Sequence, residues 1–251
     1  MLARGGVAEP RREALRIWRD LTPVSDAEFL QAVQRRAGGE PLAYVTGQAG
    51  FRHLVLWADR RALIPRPETE MLVELALRAV PRGRVADVGT GTGCIALSLA
   101  SEGHYDAVVA VDRSASALAL ASVNRDLTGA ARVQLIRGDL TEPLVAESLD
   151  AIVSNPPYLT DREWEGVDPS VGLWEPAEAL AAGPDGLAPT RRLLEDGRRV
   201  LRPGGRLLLE LDCRRAPVVA TLAGEFGWRE VQVVNDLFGR ERYLLARRSE
   251  P

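Results

Sequence analysis

RVADVGTGTGC, from Arg84 to Cys94, is the stretch on which the fold turns. An apolar run of strand character leads into glycines at 89, 91 and 93, and a helical pattern starts at Cys94. Glycine lets the backbone turn tightly and approach a ligand closely, and a helix start presents N–H groups that favour a carboxylate or phosphate. Asp87 to Gly93 therefore reads as the ligand loop of a first βα unit, with Gly89, Thr90, Gly91, Thr92 and Gly93 against a nucleotide-like molecule. A dinucleotide fingerprint G-x-G-x-x-G would need a third glycine where Cys94 stands, which weakens a nicotinamide dehydrogenase reading.

Outward from the loop, short apolar runs alternate with helical stretches. AVVAVD (107–112) precedes a helix to about Leu127, and RVQLIRG (132–138) and DAIVSN (150–155) read as further strands. A loop from Pro156 to about Gly186, a helix to Leu201, a turn at Pro203 to Gly205 and the strand RLLLELD (206–212) continue the pattern. After a helix around Val218 to Phe226, EVQVVND and RYLLARR flank the turn LFGRE as an antiparallel hairpin. Upstream, a capped helix spans about Glu68 to Ala79, FRHLVLWADRRALI (51–64) reads as a hairpin, and Arg11 to Gly39 is helical with a capping box from Ser25 to Glu28. The rhythm predicts an α/β fold: a seven-stranded, mainly parallel sheet with helices on both faces, plus a short N-terminal helical appendage. The expected division is a helical docking region over 1–50, a hairpin-and-helix connector over 51–82 and a main domain over 83–251.

Composition narrows the chemistry. The 251 residues include no lysine, two cysteines (Cys94 and Cys213) and two histidines (His53 and His104), with no zinc-ligand spacing. Walker-type and Schiff-base lysine chemistry drop out, and no metal is expected. A net charge of −3 argues against wholesale attraction to nucleic acid. No apolar run approaches membrane-span length and the first residues lack a signal-peptide apolar region, so a cytoplasmic protein without a membrane partner is expected.

Three more strand ends carry chemistry. Asp112 closes the second strand of the βα series, where a carboxylate accepts from ribose hydroxyls, and Asp139 with Leu140 follows the third, near an adenine edge. Asn155, Pro156, Pro157 and Tyr158 follow the fourth, at the edge where such sheets bind ligands. An amide or exocyclic amine is a poor nucleophile because its lone pair is delocalised. Catalysis calls for acceptors that hold its N–H groups and aim the lone pair at the donor. The Asn155 side-chain oxygen and the Pro156 carbonyl suit this, the paired prolines stiffen the loop, and Tyr158 offers an aromatic wall.

The glycine loop, Asp112 and NPPY resemble class I S-adenosylmethionine-dependent amino-methyltransferases. EPLAYVTGQAGF (40–51), LIPRPETEMLVE (63–74) and SNPPY followed by WEPAEALAAGPDGL (174–187) narrow the likeness to the peptide chain release factor glutamine N5-methyltransferases (PrmC/HemK family), from about Glu40 to the C-terminus. The resemblance implies a class I methyltransferase fold and an enzyme with S-adenosyl-L-methionine as cofactor. Gly89 to Gly93, Asp112, Asp139, Leu140 and Asn155 would bind that cofactor. Asn155, Pro156, Pro157 and Tyr158 would hold the glutamine of a Gly-Gly-Gln loop of class 1 release factors, with Asn155, Pro156 and Tyr158 serving catalysis. The family's N-terminal domain usually has several helices, whereas 39 residues precede Glu40, so docking is expected to differ. Where relatives often place an aromatic residue after the third-strand acid, this chain has Leu140, which would pack on adenine without stacking.

The closest rival is methylation of an exocyclic amino group of adenine or guanine, since NPPY serves both chemistries. A base target calls for base flipping and basic surfaces. A non-catalytic cofactor-binding regulator would not need an intact NPPY. Arg66, between Pro65 and Pro67, could line the substrate entrance, although an exposed turn residue is the commoner reading, and Cys94 reads as a small buried residue. Trp164 and Trp174 read equally as a lid or as packing of the long loop, and Glu210 as structural or substrate-adjacent. A monomer is expected.

Overall fold

In the computed structural model, which describes residues 1–250, the chain enters through two helices, α1 (Pro10–Leu21) and α2 (Asp26–Ala37). Pro10 opens α1, where its missing N–H is no loss. Ser25 and Glu28 form the expected capping box: the Ser25 hydroxyl accepts from the Glu28 amide, and the Glu28 carboxylate accepts from the Ser25 amide. Ile17, Ala32 and Val45, the last from the short helix α3 (Leu42–Thr46), close a small core between them.

A hairpin follows, β1 (Gln48–Phe51) paired with β2 (Leu54–Trp57). The alternation puts this hairpin over 51–64, but the chain reverses at Arg52 and His53, so the strands sit earlier. Arg52 takes a left-handed φ of 50°, and its guanidinium reaches Glu74 and Glu102 while its amide donates to Glu70. Those long-range carboxylates, not the local alternation, fix the turn.

Next come α4 (Pro67–Ala79), β3 (Arg82–Val88), α5 (Cys94–Glu102), β4 (His104–Asp112), α6 (Ala115–Leu127), β5 (Val133–Arg137) and β6 (Leu149–Ser154). The stretch read as one loop holds two short capped helices, α7 (Asp161–Glu165) and α8 (Pro169–Gly172), and a single 3-10 turn at Ala177–Ala179. Then follow α9 (Ala188–Val200), β7 (Leu201–Glu210), α10 (Ala216–Glu225), β8 (Arg229–Asn235) and β9 (Glu241–Arg247). The turn at Pro203 to Gly205 survives as an irregularity inside β7: pairing to β6 jumps from Leu149–Leu201 to Ala151–Arg206.

The sheet has seven strands in the order β5-β4-β3-β6-β7-β9-β8, parallel except where β9 runs antiparallel between β7 and β8. Successive strand residues face opposite sides. Ile152, Leu207 and Leu209 join Leu193, Leu194 and Val219 of α9 and α10 on one side. Ala151, Val153 and Leu208 join Leu72, Val73, Ile95 and Leu99 of α4 and α5 on the other. With both faces covered, the parallel strands read as unbroken apolar runs. From β3 the chain winds outward through β4 and β5, then crosses back to β6 on the other side of β3. That reversal opens a crevice at the strands' carboxyl ends.

Asn124, on α6, joins three segments at this crevice. Fully buried, it accepts from the Trp57 amide at 2.6 Å and donates to the carbonyls of Trp57 at 3.1 Å and Thr92 at 2.9 Å. Replacement by leucine leaves buried backbone groups unpaired, and Asn124→Leu is expected to lower unfolding free energy by about 3 kcal/mol in urea titration. An unchanged midpoint would show that the clasp is dispensable.

Candidate active site

A cavity of about 360 Å³ lies at the carboxyl ends of β3, β4, β5 and β6. Among the residues singled out from sequence, Gly89, Gly91, Asp112, Asp139, Leu140, Asn155 and Pro157 line it. Thr90, Thr92, Gly93, Pro156 and Tyr158 lie just outside the lining.

The glycine loop owes its shape to the buried Asp87. One carboxylate oxygen accepts from the Thr90 hydroxyl at 2.5 Å and from the Ala96 amide at 3.0 Å, and so caps α5 from below. Burial pushes its carboxyl up to about 7 against those two bonds. The amides of Gly89 and Thr90 both donate to the Val111 carbonyl, and that of Gly93 to Thr90, so much of the loop's N–H capacity is used internally. Gly89 adopts a φ of +77° with nothing within 4 Å of where a Cβ would stand. A side chain there would project into the cavity, so glycine keeps the space open and supplies the positive φ. Thr92 and Gly93 face inward, Gly93 close against Leu97.

Asp112 is pinned from both sides. Its oxygens accept from the amides of Gly91 and Ser114, each at 2.9 Å, which leaves further lone pairs for a ligand's hydroxyls. Asp139 accepts from the guanidinium of Arg192 at 2.6 Å. Leu140 stands in the left-handed region at φ 50°, a conformation that costs on the order of 1 kcal/mol or more in a residue of this kind and holds only where surroundings enforce it.

Asn155 donates through Nδ2 to the Thr69 hydroxyl oxygen at 3.1 Å, and that hydroxyl donates to Glu210 Oε2 at 2.7 Å. Among the described residues nothing donates to Asn155 Oδ1 or to the Pro156 carbonyl. Burial raises the Tyr158 phenol, which has Glu210, Arg242 and Arg66 for neighbours. The next residues are clamped: the amides of Tyr158 and Leu159 donate to the Leu180 carbonyl, and the Ala182 amide donates back to Leu159. Ala181 and Ala182 in turn border the cavity, so one segment supports the NPPY loop and supplies a wall.

Arg66 is half-buried and paired, where the sequence reading favours an exposed turn residue. It donates to the buried Glu175 at 2.6 Å, and Glu175 also accepts from the Ile64 amide. Trp174 is packing, not a cover on the cavity: it lies against the small cluster of Tyr44, Ala49 and Ala58, with the Arg60 guanidinium 4.1 Å above its ring. Cys94 is buried, which pushes its thiol up to about 12 and leaves it unreactive. Sequence reasoning missed Thr69, Glu175, Asn124 and Arg192. Only Glu210 carried a local signal, a charge at the end of an apolar strand.

Residues 67–167 match the model of the methyltransferase small domain. Proteins named release factor glutamine methyltransferase are similar over most of their length. That of Deinococcus radiodurans is 43% identical over 94% of this chain and 84% of its own. That of Moorella thermoacetica is 41% identical over 99% and 95%, and that of Nitratidesulfovibrio vulgaris 42% over 88% and 77%. Among solved structures, a methyltransferase from Pyrococcus furiosus superposes with a TM-score of 0.58 at 20% identity, over 77% of this chain and 88% of that one. A ribosomal protein L11 methylase from Lactobacillus delbrueckii gives 0.54 at 21%, over 75% and 82%. At such identities the likeness speaks for the fold.

Proposed function

This chain belongs to the family of release factor glutamine methyltransferases, and on that footing we propose that it transfers a methyl group from S-adenosyl-L-methionine to the side-chain amide nitrogen, N5, of the glutamine in the Gly-Gly-Gln motif of class 1 peptide chain release factors. The observation that carries the proposal is the arrangement of Asn155: its Nδ2 is engaged by Thr69 while Oδ1, beside the cavity, accepts no bond among the described residues.

The residues present suit the cofactor. The open backbone at Gly89 and Gly91 admits it, the Asp112 carboxylate has lone pairs left for two ribose hydroxyls, and Asp139 and Leu140 border the place of an adenine. Thr90, Thr92 and Gly93 act behind them by holding the loop in shape. When bound, S-adenosylmethionine supplies an electrophilic methyl on a sulfonium that leaves as a neutral thioether. Asn155 Oδ1 and the Pro156 carbonyl accept the two amide N–H groups, which orients the nitrogen lone pair and stabilises the positive charge that grows on nitrogen as the bond forms. One of those N–H protons then passes to solvent water, and the product amide regains planarity as a neutral N-methyl amide. Pro157 stiffens the loop, and Tyr158 walls the planar amide.

Residues 1–50 are assigned to docking of the release factor, 51–82 to a connector and 83–251 to transfer. Exposed Leu15 and Trp18 on α1 and Leu30 on α2 support the first assignment. The enzyme acts as a monomer in the cytoplasm, where translation ends, without direct nucleic-acid binding. Methylation of an adenine or guanine amine is the reading to set against it. Label transfer from S-adenosylmethionine to a purified release factor, beside its glutamine-to-alanine variant and a duplex DNA control, decides: label on the intact factor alone is expected, and label on DNA alone favours the rival.

Asn155→Ala is expected to bind cofactor normally and to lose about 100-fold in kcat, as removal of one charge-stabilising partner does elsewhere; full turnover would remove Asn155 from its role. Asp112→Ala is expected to weaken cofactor binding by about 10-fold or more, read by calorimetry, and an unchanged Kd would contradict the ribose contact.

A further inference from the structure

Glu210 ends β7 and Thr69 sits in the first turn of α4; the transfer described above uses Thr69 only as the partner of Asn155 Nδ2 and gives Glu210 no part. Each is only 2% exposed. The Thr69 hydroxyl donates to Glu210 Oε2 at 2.7 Å, and its oxygen accepts from Asn155 Nδ2 at 3.1 Å. A hydroxyl carries one proton, and an ionised carboxylate only accepts. With Glu210 ionised, the Thr69 proton is committed to it and Thr69 shows Asn155 only a lone pair. Asn155 must answer with its NH₂ end, which turns Oδ1 the other way.

We propose that Thr69 and Glu210 are positioning residues for the methyl transfer: ionised Glu210, acting through the Thr69 hydroxyl, holds the Asn155 amide with its oxygen toward the substrate, and a proton on Glu210 lets that amide turn over. The proposal rests on the reading of Asn155 as acceptor of a substrate N–H. Once protonated, Glu210 donates to Thr69, whose own proton is then free for Asn155 Oδ1. The NH₂ end of Asn155 now meets the substrate's N–H groups, donor against donor.

The groups facing Glu210 come from every element packed around it. They are Arg66 and Glu68 at the start of α4, Arg242 and Tyr243 on β9, Tyr158 of the NPPY loop and Cys94 of α5. Arg66 is engaged by Glu175 and Arg242 by Asp236, so neither guanidinium hydrogen-bonds the Glu210 carboxylate. Burial outweighs their distant attraction and pushes the Glu210 carboxyl up to about 7. The sign follows: as pH falls through that value Glu210 gains its proton, Asn155 loses its fixed orientation and transfer slows.

The test follows the Asn155 side chain itself. Asn155 is one of three asparagines in the chain, so its NH₂ cross-peak in ¹⁵N-labelled protein saturated with S-adenosylhomocysteine is identified by its loss in Asn155→Ala. That peak is followed across the neutral range in the wild type, Glu210→Gln, Thr69→Val and Thr69→Ser, beside kcat for a release factor. The peak is expected to titrate near neutrality in the wild type and in Thr69→Ser, and to be fixed in Glu210→Gln and Thr69→Val. The acid limb of kcat shares that midpoint and disappears in Glu210→Gln. Thr69→Val loses about 10-fold or more in kcat with cofactor Kd unchanged, and Thr69→Ser recovers most of it. A wild-type peak that does not titrate, or one that titrates unchanged in Glu210→Gln or Thr69→Val, overturns the proposal; Thr69→Val, nearly isosteric, decides alone if Glu210→Gln does not fold. Wild-type protein that methylates no release factor at any pH sinks the functional reading instead, and the cross-peak still decides the relay.

Discussion

Two hydrogen bonds, from Asn155 to Thr69 and from Thr69 to Glu210, hold together the part of the molecule to which the methyl transfer is assigned above. They join the end of β6, the first turn of α4 and the end of β7. Adjacent parallel strands bring the first and last of these side by side, since Ser154 pairs with Leu209. Helix α4 is pressed over them by Leu72 and Val73, and Tyr243 of β9 donates to the Glu68 carbonyl at its start. Two apolar contacts, one tyrosine hydrogen bond and one strand ladder thus set the position of a single side-chain amide, and with it the direction in which its oxygen points.

Such placement has a thermodynamic cost. Asp87 and Glu210 are both buried acids whose carboxyls are pushed up to about 7. For an acid raised on folding, the folded state favours the proton, so stability is greatest at low pH and declines as pH rises from the unfolded value through the folded one. A fold selected for stability alone would place apolar residues at these two strand ends. In return Asp87 shapes the glycine loop through Thr90 and Ala96, and Glu210 anchors the Thr69 hydroxyl that faces Asn155.

Local pattern made the sheet, the glycine loop, Asp112 and the NPPY loop readable, because each is a strand end followed by turn chemistry within a few residues. The partners that orient those residues left no such trace. Thr69 lies 86 residues from Asn155, Arg66 lies 109 from Glu175, and Trp57 lies 67 from Asn124. Thr69, Arg66 and Asn124 are ordinary polar residues in their own surroundings and become specific only when the sheet closes. The hairpin was displaced for the same reason: alternation over 51–64 is local, whereas the turn at Arg52 is fixed by carboxylates on α4 and α5.

On the proposed reading, a polarised chain of donors and acceptors links the fold to the methyl transfer. The most direct test is the structure of the protein with S-adenosylhomocysteine and a Gly-Gly-Gln peptide. The glutamine nitrogen is expected within about 2.9 Å of both Asn155 Oδ1 and the Pro156 carbonyl, with its remaining face toward the cofactor sulfur. A glutamine that instead turns its carbonyl oxygen to Asn155 Nδ2, with its nitrogen away from the sulfur, would contradict the account.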